Sequence, residues 1–128
     1  MATQGDGWHS DPDIMDDRCL VVHVRNQGLV VITDCCHSGI INTICHAKKI
    51  SGIDKIHAII GGFHLSGKFF KAVIPRMIQD LSAYQPDYLV PCHCTGWKAM
   101  QAMAQALPKA SSPSCVSTKI HLQQAKEP

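Results

Sequence analysis

A chain of 128 residues and 14.0 kDa is enough for one domain, or for half of a larger one. With 45% hydrophobic and 17% charged residues it suits a packed core, which excludes a disordered tail or a collagen-like rod. A formal net charge of +2 with no basic run excludes a nucleic-acid partner, and the longest apolar runs, Leu20 to Val24 and Leu29 to Ile32, are far below the roughly 20 residues of a membrane span.

Residues 1–17 are rich in Gly, Asp, Ser and Pro and read as a flexible or extended lead-in. They have neither a positive cluster nor an apolar segment of signal-peptide type, so a cytoplasmic location is expected. Residues 18–25 are β-branched around Val21, Val22 and Val24, and Asn26-Gln27-Gly28 is a turn signal. Leu29 to Thr33 is a second apolar run, and the two runs predict a hairpin. Ile40, Ile41, Ile44, Ala47 and Ile50 recur at helical spacing, with Lys48 and Lys49 in the last turn and Gly52 placed to cap it. Ile56 to Ile60 is a third strand, ended by Gly61-Gly62. A helix starts near Pro75 and presents Ile74, Met77, Ile78 and Leu81 on its apolar face. Tyr88-Leu89-Val90 is a fourth strand, and Trp97 to Leu107 is a third helix closed by Pro108. Val116 to Leu122 reads as an edge strand before a charged tail. The chain divides into the lead-in 1–17, an α/β unit over 18–108, and a loop, edge strand and tail over 109–128.

Two residue types stand out, with 7 Cys and 8 His in the chain. An odd number of cysteines and no signal peptide argue for reduced thiols rather than a disulfide framework. Three histidines directly follow predicted strands: His37 in Asp34-Cys35-Cys36-His37-Ser38, His64 in Gly61-Gly62-Phe63-His64, and His93 in Pro91-Cys92-His93-Cys94. Strand ends of an α/β sheet open on one rim, where ligands bind. Three imidazoles there are the ingredients of a catalytic zinc site, which takes nitrogen, sulfur and carboxylate donors and leaves a position for water. Asp34, Cys35, Cys36, Cys92 and Cys94 flank the same loops. The plainer alternative is three unrelated loop histidines among buried thiols. His9, His23, His46, His57 and His121 read as structural or solvated. Gly61-Gly62 is expected to let the backbone pass close to the site.

The segments Gly28 to Thr43, Ile60-Gly61-Gly62-Phe63-His64-Leu65 and Pro91-Cys92-His93-Cys94-Thr95-Gly96, in this order and spacing, resemble the metallo-β-lactamase superfamily. Within it they resemble the branch of the dihydropterin ribofuranosylaminobenzene phosphate synthases. The resemblance covers about residues 11 to 107. It departs from the branch at Asp34, which replaces a glycine, and at Cys36, which replaces a serine. The superfamily's first metal motif, His-x-His-x-Asp-His, is absent from this chain.

The resemblance implies half of an αββα sandwich, the C-terminal half, with one mixed sheet and helices on one face. It implies a metal-dependent hydrolase or related transferase, with zinc or another divalent metal as cofactor. His37, His93 and Cys35 are the expected metal donors and His64 the expected catalytic contact to substrate. The substrate expected from the resemblance is a small molecule, phosphorylated or pterin-like. The missing motif raises a second reading, a truncated non-catalytic fragment or a half-domain that needs a partner chain, and it predicts weak metal binding. A third is a small structural zinc domain using Cys35, His37, Cys92 and Cys94, whose spacing matches no standard finger. An uncovered sheet face predicts self-association.

Overall fold

A computed structural model describes residues 15–123 and the backbone of two short paired strands, β1 (Ala2–Gln4) and β2 (Gly7–His9). The lead-in thus holds a small antiparallel ribbon. The rest of residues 1–14, the side chain of His9 and the tail 124–128 lie outside the described residues.

Four further strands form one mixed sheet in the order β3 (Cys19–Val24), β4 (Gly28–Thr33), β5 (Ile56–Gly61) and β6 (Tyr88–Pro91). Strands β3 and β4 pair antiparallel across the turn at Asn26, while β4, β5 and β6 run parallel. Parallel neighbours need crossovers, and these are α1 (Ile40–Ser51) and α2 (Ile74–Tyr84). Consecutive crossovers of the same hand place both helices on one face of the sheet. The third helix, α3 (Trp97–Ala106), packs beside α2.

Burial follows from strand alternation. The row Val21, Val31, Ile59 and Leu89 is in register across the sheet and packs into one cluster with Ile40, Ile44 and Ala47 of α1, Met77 and Leu81 of α2, and Ala99 and Met103 of α3. In α1 the apolar stripe ends early, since Ile50 is 63% exposed. Its Gly52 cap is left-handed and its amide bonds to the Lys48 carbonyl. In α2, Pro75 occupies the first turn, where no intrahelical N–H is required. The sheet's opposite face carries Leu20, Ile32, Ile60 and Val90 in one row and Val22, Val30, Ala58 and Tyr88 in the next. There Leu20, Val22, Ile32 and Tyr88 are exposed.

Two segments depart from the sequence reading. Lys68–Phe70 is a single 3-10 turn inside a stretch that reads as irregular. Val116 to Leu122 is coil rather than an edge strand. The place beside β6 is taken earlier, by residues 110–112: the Leu89 amide bonds to the Ala110 carbonyl at 2.8 Å, and the Ser112 amide to the Leu89 carbonyl at 2.9 Å. The unit therefore continues past Pro108, with Ala110 buried.

Candidate metal centre

Because β4, β5 and β6 are parallel, their C-terminal ends open on the same rim, and the loops that follow meet there. Backbone and hydroxyl bonds stitch the three loops together. The Gly62 amide donates to the Asp34 carbonyl at 2.9 Å, and the Cys92 amide to the Gly61 carbonyl at 2.8 Å. The amides of Leu65 and Ser66 both donate to the Cys94 carbonyl. Thr33 Oγ1 donates to the Gly62 carbonyl at 2.9 Å. Fully buried Thr95 accepts from the Phe63 amide and donates to the His93 carbonyl, each at 3.3 Å.

Glycine is required at two points of this stitching. Gly61 has φ +133°, and a Cβ there would lie 2.2 Å from the Thr33 carbonyl oxygen. A Cβ on Gly62 would lie 2.6 Å from the Asp34 carbonyl oxygen, 2.8 Å from Cys94 Sγ and 2.9 Å from His93 Nε2. Each loop also holds one non-glycine residue in the left-handed region: Cys36 at φ 59°, His64 at 48° and Cys94 at 51°. In the first loop Asp34, which replaces the branch's glycine, is not among the positive-φ residues, and Cys36 is. Such residues cost of order 1–3 kcal/mol each and collect at functional sites.

The side chains resolve into two groups. In the first, one donor atom each from Cys35, His93 and Cys94 lies within 4.8 Å of the other two. Cys35 Sγ is 3.3 Å from His93 Nε2, and Asp34 Oδ1 is 3.7 Å from the same nitrogen. Cys94 Sγ sits 3.6 Å from the Cys35 carbonyl oxygen and accepts from the His64 amide at 3.3 Å. Local desolvation, the neighbouring Cys94 thiol and the carboxylates of Asp34 and Asp17 push the Cys35 thiol up from its ordinary value. In the second group the His37 and His64 rings meet edge to face at 4.5 Å, and His64 also meets Phe70 at 5.4 Å. His64 Nδ1 is buried with no hydrogen-bond partner.

His93 and Cys35 are therefore brought together, while His37 stands beside His64, outside the Cys35, His93 and Cys94 cluster. Cys94 enters that cluster although C-x-C spacing gave no signal separating it from a packed thiol. The left-handed turn at Cys94 aims its sulfur at Cys35, whereas Cys92 Sγ faces Ser114 Oγ at 3.2 Å. Cys36 is a core thiol: burial pushes it up to about 11, against a bond to Thr43 Oγ1. Away from the rim, buried His57 is a structural partner, bonded through Nδ1 to Asp87 at 2.7 Å. Exposed His46 lines a cavity of about 360 Å³ with Arg18, Lys49 and Asp17.

Two atoms of sulfur and one of nitrogen are a donor set for a borderline or soft divalent ion, and zinc accepts all three. The buried, unpartnered Nδ1 of His64 beside this set marks a polar wall.

No family model matches the chain. It is 34% identical over 87 residues, 68% of its length, to the 7,8-dihydropterin-6-methyl-4-(β-D-ribofuranosyl)-aminobenzene-5'-phosphate synthase of Methanocaldococcus jannaschii, of which it covers 29%. To the uncharacterized protein MJ0448 of the same organism it is 36% identical over 100 residues, 78% of this chain and 35% of that protein. The chain thus spans about a third of the length of these curated relatives. Among solved structures, Tm1679, a metal-dependent hydrolase of the β-lactamase superfamily, superposes with a TM-score of 0.75 at 29% identity, over 83% of this chain and 40% of that one. By its mixed sheet, its three ordered loop motifs and these likenesses, the chain belongs to the metallo-β-lactamase superfamily, of whose relatives it spans a part.

Proposed function

We propose that this chain supplies one wall of a metal-dependent hydrolase or transferase site, with Cys35, His93 and Cys94 holding a divalent ion, zinc above others. The observation that carries the reading is the convergence of these three donors from loops after two parallel strands. A bound ion of this kind polarises a phosphate or carbonyl oxygen and lowers the pKa of water. The residues around it have separate tasks. Asp34 Oδ1, 3.7 Å from the same His93 nitrogen that faces Cys35, sets a carboxylate beside the donor group. Gly62 and Thr95 hold the loops at the separation the donors need. His37 and His64 form the adjoining wall, and His64 contacts substrate. A small phosphorylated or pterin-like molecule is the substrate class that fits, because the synthase relative is named for a dihydropterin and a phosphate.

A second reading has its own support. His93 is 54% exposed and Asp34 83%, so the wall is open to solvent on this chain alone. Open donors without enclosure hold a metal weakly. In this reading the chain is a half-site that binds an ion but turns over no substrate until a second chain or segment closes it. Calorimetric titration with zinc tests the site itself. One ion per chain, held weakly enough to be lost on dialysis and undetectable in His93→Ala, is the expected result. Unchanged binding in His93→Ala means that the ion sits elsewhere and the reading fails.

A further inference from the structure

The pair Cys35 and Cys94 has a chemistry of its own, independent of any bound ion. Both sulfurs belong to the group whose donor atoms lie within 4.8 Å of one another, and both residues are half-buried. Their loops are already tied to each other through Gly62, whose amide bonds to the Asp34 carbonyl and on which a Cβ would lie 2.8 Å from Cys94 Sγ. A bond between the sulfurs, about 2.05 Å long, thus needs side-chain rotation across a short gap. His93 Nε2 lies 3.3 Å from Cys35 Sγ, at the edge of the same group. Four of the five other thiols face different partners: Cys36 faces Thr43, Cys45 the Tyr84 hydroxyl, Cys92 Ser114 and Cys115 Thr118, while Cys19 is exposed on β3.

We infer that Cys35 and Cys94 form a redox-sensitive dithiol, whose oxidation by a low-molecular-weight disulfide links the two loops and switches off metal binding. The Cys35 sulfur attacks one sulfur of the oxidant, forming a mixed disulfide and expelling one thiolate. The Cys94 sulfur then attacks the Cys35 sulfur, closing the intramolecular bond and expelling the second thiolate. The protein gives up two protons and two electrons, and the oxidant becomes two thiols. Both sulfurs are then spent, and His93 alone remains of the donor set. The converse also holds, since an ion on the thiolates shields them from attack. The loss of metal binding rests on the function proposed above; the disulfide itself does not.

The test uses the full chain with exposed Cys19, Cys45 and Cys115 changed to serine, freed of metal and treated with excess glutathione disulfide. The expected product weighs two hydrogen atoms less than the reduced chain, carries no glutathione and yields a peptide joining Cys35 to Cys94. It loses at least tenfold in zinc affinity and regains it on reduction. The Cys94→Ser variant stops at the mixed disulfide and keeps one glutathione on Cys35; Cys35→Ser gives no intramolecular link. Separate glutathione adducts on Cys35 and Cys94, or a link to Cys36 or Cys92, overturns the dithiol. A clean Cys35–Cys94 link with zinc binding unchanged overturns the switch. A reduced chain that binds no zinc refutes the metal site and the switch with it, while the mapped link still decides the dithiol.

Discussion

Gly62 sets how closely the three loops approach, because any side chain there points into the Cys35, His93 and Cys94 group. Overpacking of this kind costs about 1–3 kcal/mol. Gly62→Ala is therefore expected to lower stability by that amount in urea unfolding and to weaken zinc binding in parallel; full metal affinity in this variant would show that the loops have slack. Charge acts at two other residues. Burial alone would raise Asp87, but hydrogen bonds from His57 and Lys55 outweigh it and hold the carboxyl below its ordinary value. Burial likewise opposes, and the hydroxyl and amide of Ser38 reverse, the shift of Asp17, which also ends low. A lowered folded pKa gives stability that is present above the unfolded value and is lost as pH falls through the folded one. The contribution of these two carboxylates should thus be in place above about pH 4 and be lost below it. Asp87→Asn keeps an acceptor for His57 but removes the charge of a partly exposed carboxylate, so it should cost no more than about 1 kcal/mol, and should flatten that acid limb in pH-dependent melts. An acid limb identical to that of the wild type would remove Asp87 from the account.

The elements themselves were legible because their periods are strong. Strands β3 to β6 and helices α1 to α3 follow from β-branched runs and from apolar spacing such as Ile40, Ile44 and Ala47. A three-residue turn such as Lys68–Phe70 has no period to read. Val116 to Leu122 has strand-like composition, but the edge it needs is occupied by residues 110–112. At the site, the position of His93 and Cys35 after strands was visible, since parallel strands bring their ends to one rim. The entry of Cys94 into the donor group was not. The loops carry left-handed backbone at Cys36, His64 and Cys94, and no spacing rule encodes which non-glycine residue takes that conformation. Thr95 shows the same limit, as a threonine after a C-x-C reads as any loop residue. Its hydroxyl joins the loops after β5 and β6. Thr95→Val keeps the shape and removes the bonds, leaving the buried Phe63 amide unpaired at a cost of about 1–3 kcal/mol. Thermal unfolding should show that loss; a variant as stable as the parent would mean that water or another group replaces the hydroxyl.

At the scale of the molecule, the sheet is covered on one face, while on the other, exposed apolar side chains flank buried Val30, Ala58 and Val90. Leu20 and Ile32 are in register on that second face and both are exposed, as are Val22 and Tyr88. None of the described helices is long and apolar enough to cross a membrane, so this apolar surface belongs to no spanning helix. Burying it is favourable at about 25 cal/mol per Å². In the absence of any other chain the available cover is a second copy, face to face. Sedimentation velocity should show concentration-dependent self-association that Leu20→Lys with Ile32→Lys abolishes; a parent chain that stays monomeric at high concentration would mean that the face is stable in water. The exposed apolar residues of the sheet and the open metal wall are consistent with one another, since the chain spans about a third of its curated relatives. The central claim is that two thiolates and one imidazole, from Cys35, Cys94 and His93, hold one ion. Cobalt(II) titration of the reduced chain tests it most directly, because thiolate ligation gives an intense near-ultraviolet charge-transfer band that nitrogen and oxygen donors lack. The account predicts that band at one cobalt per chain, roughly halved in Cys35→Ser and in Cys94→Ser, absent when both are changed, and unaltered in Cys92→Ser. A band that survives the double change, or that vanishes in Cys92→Ser alone, would contradict it.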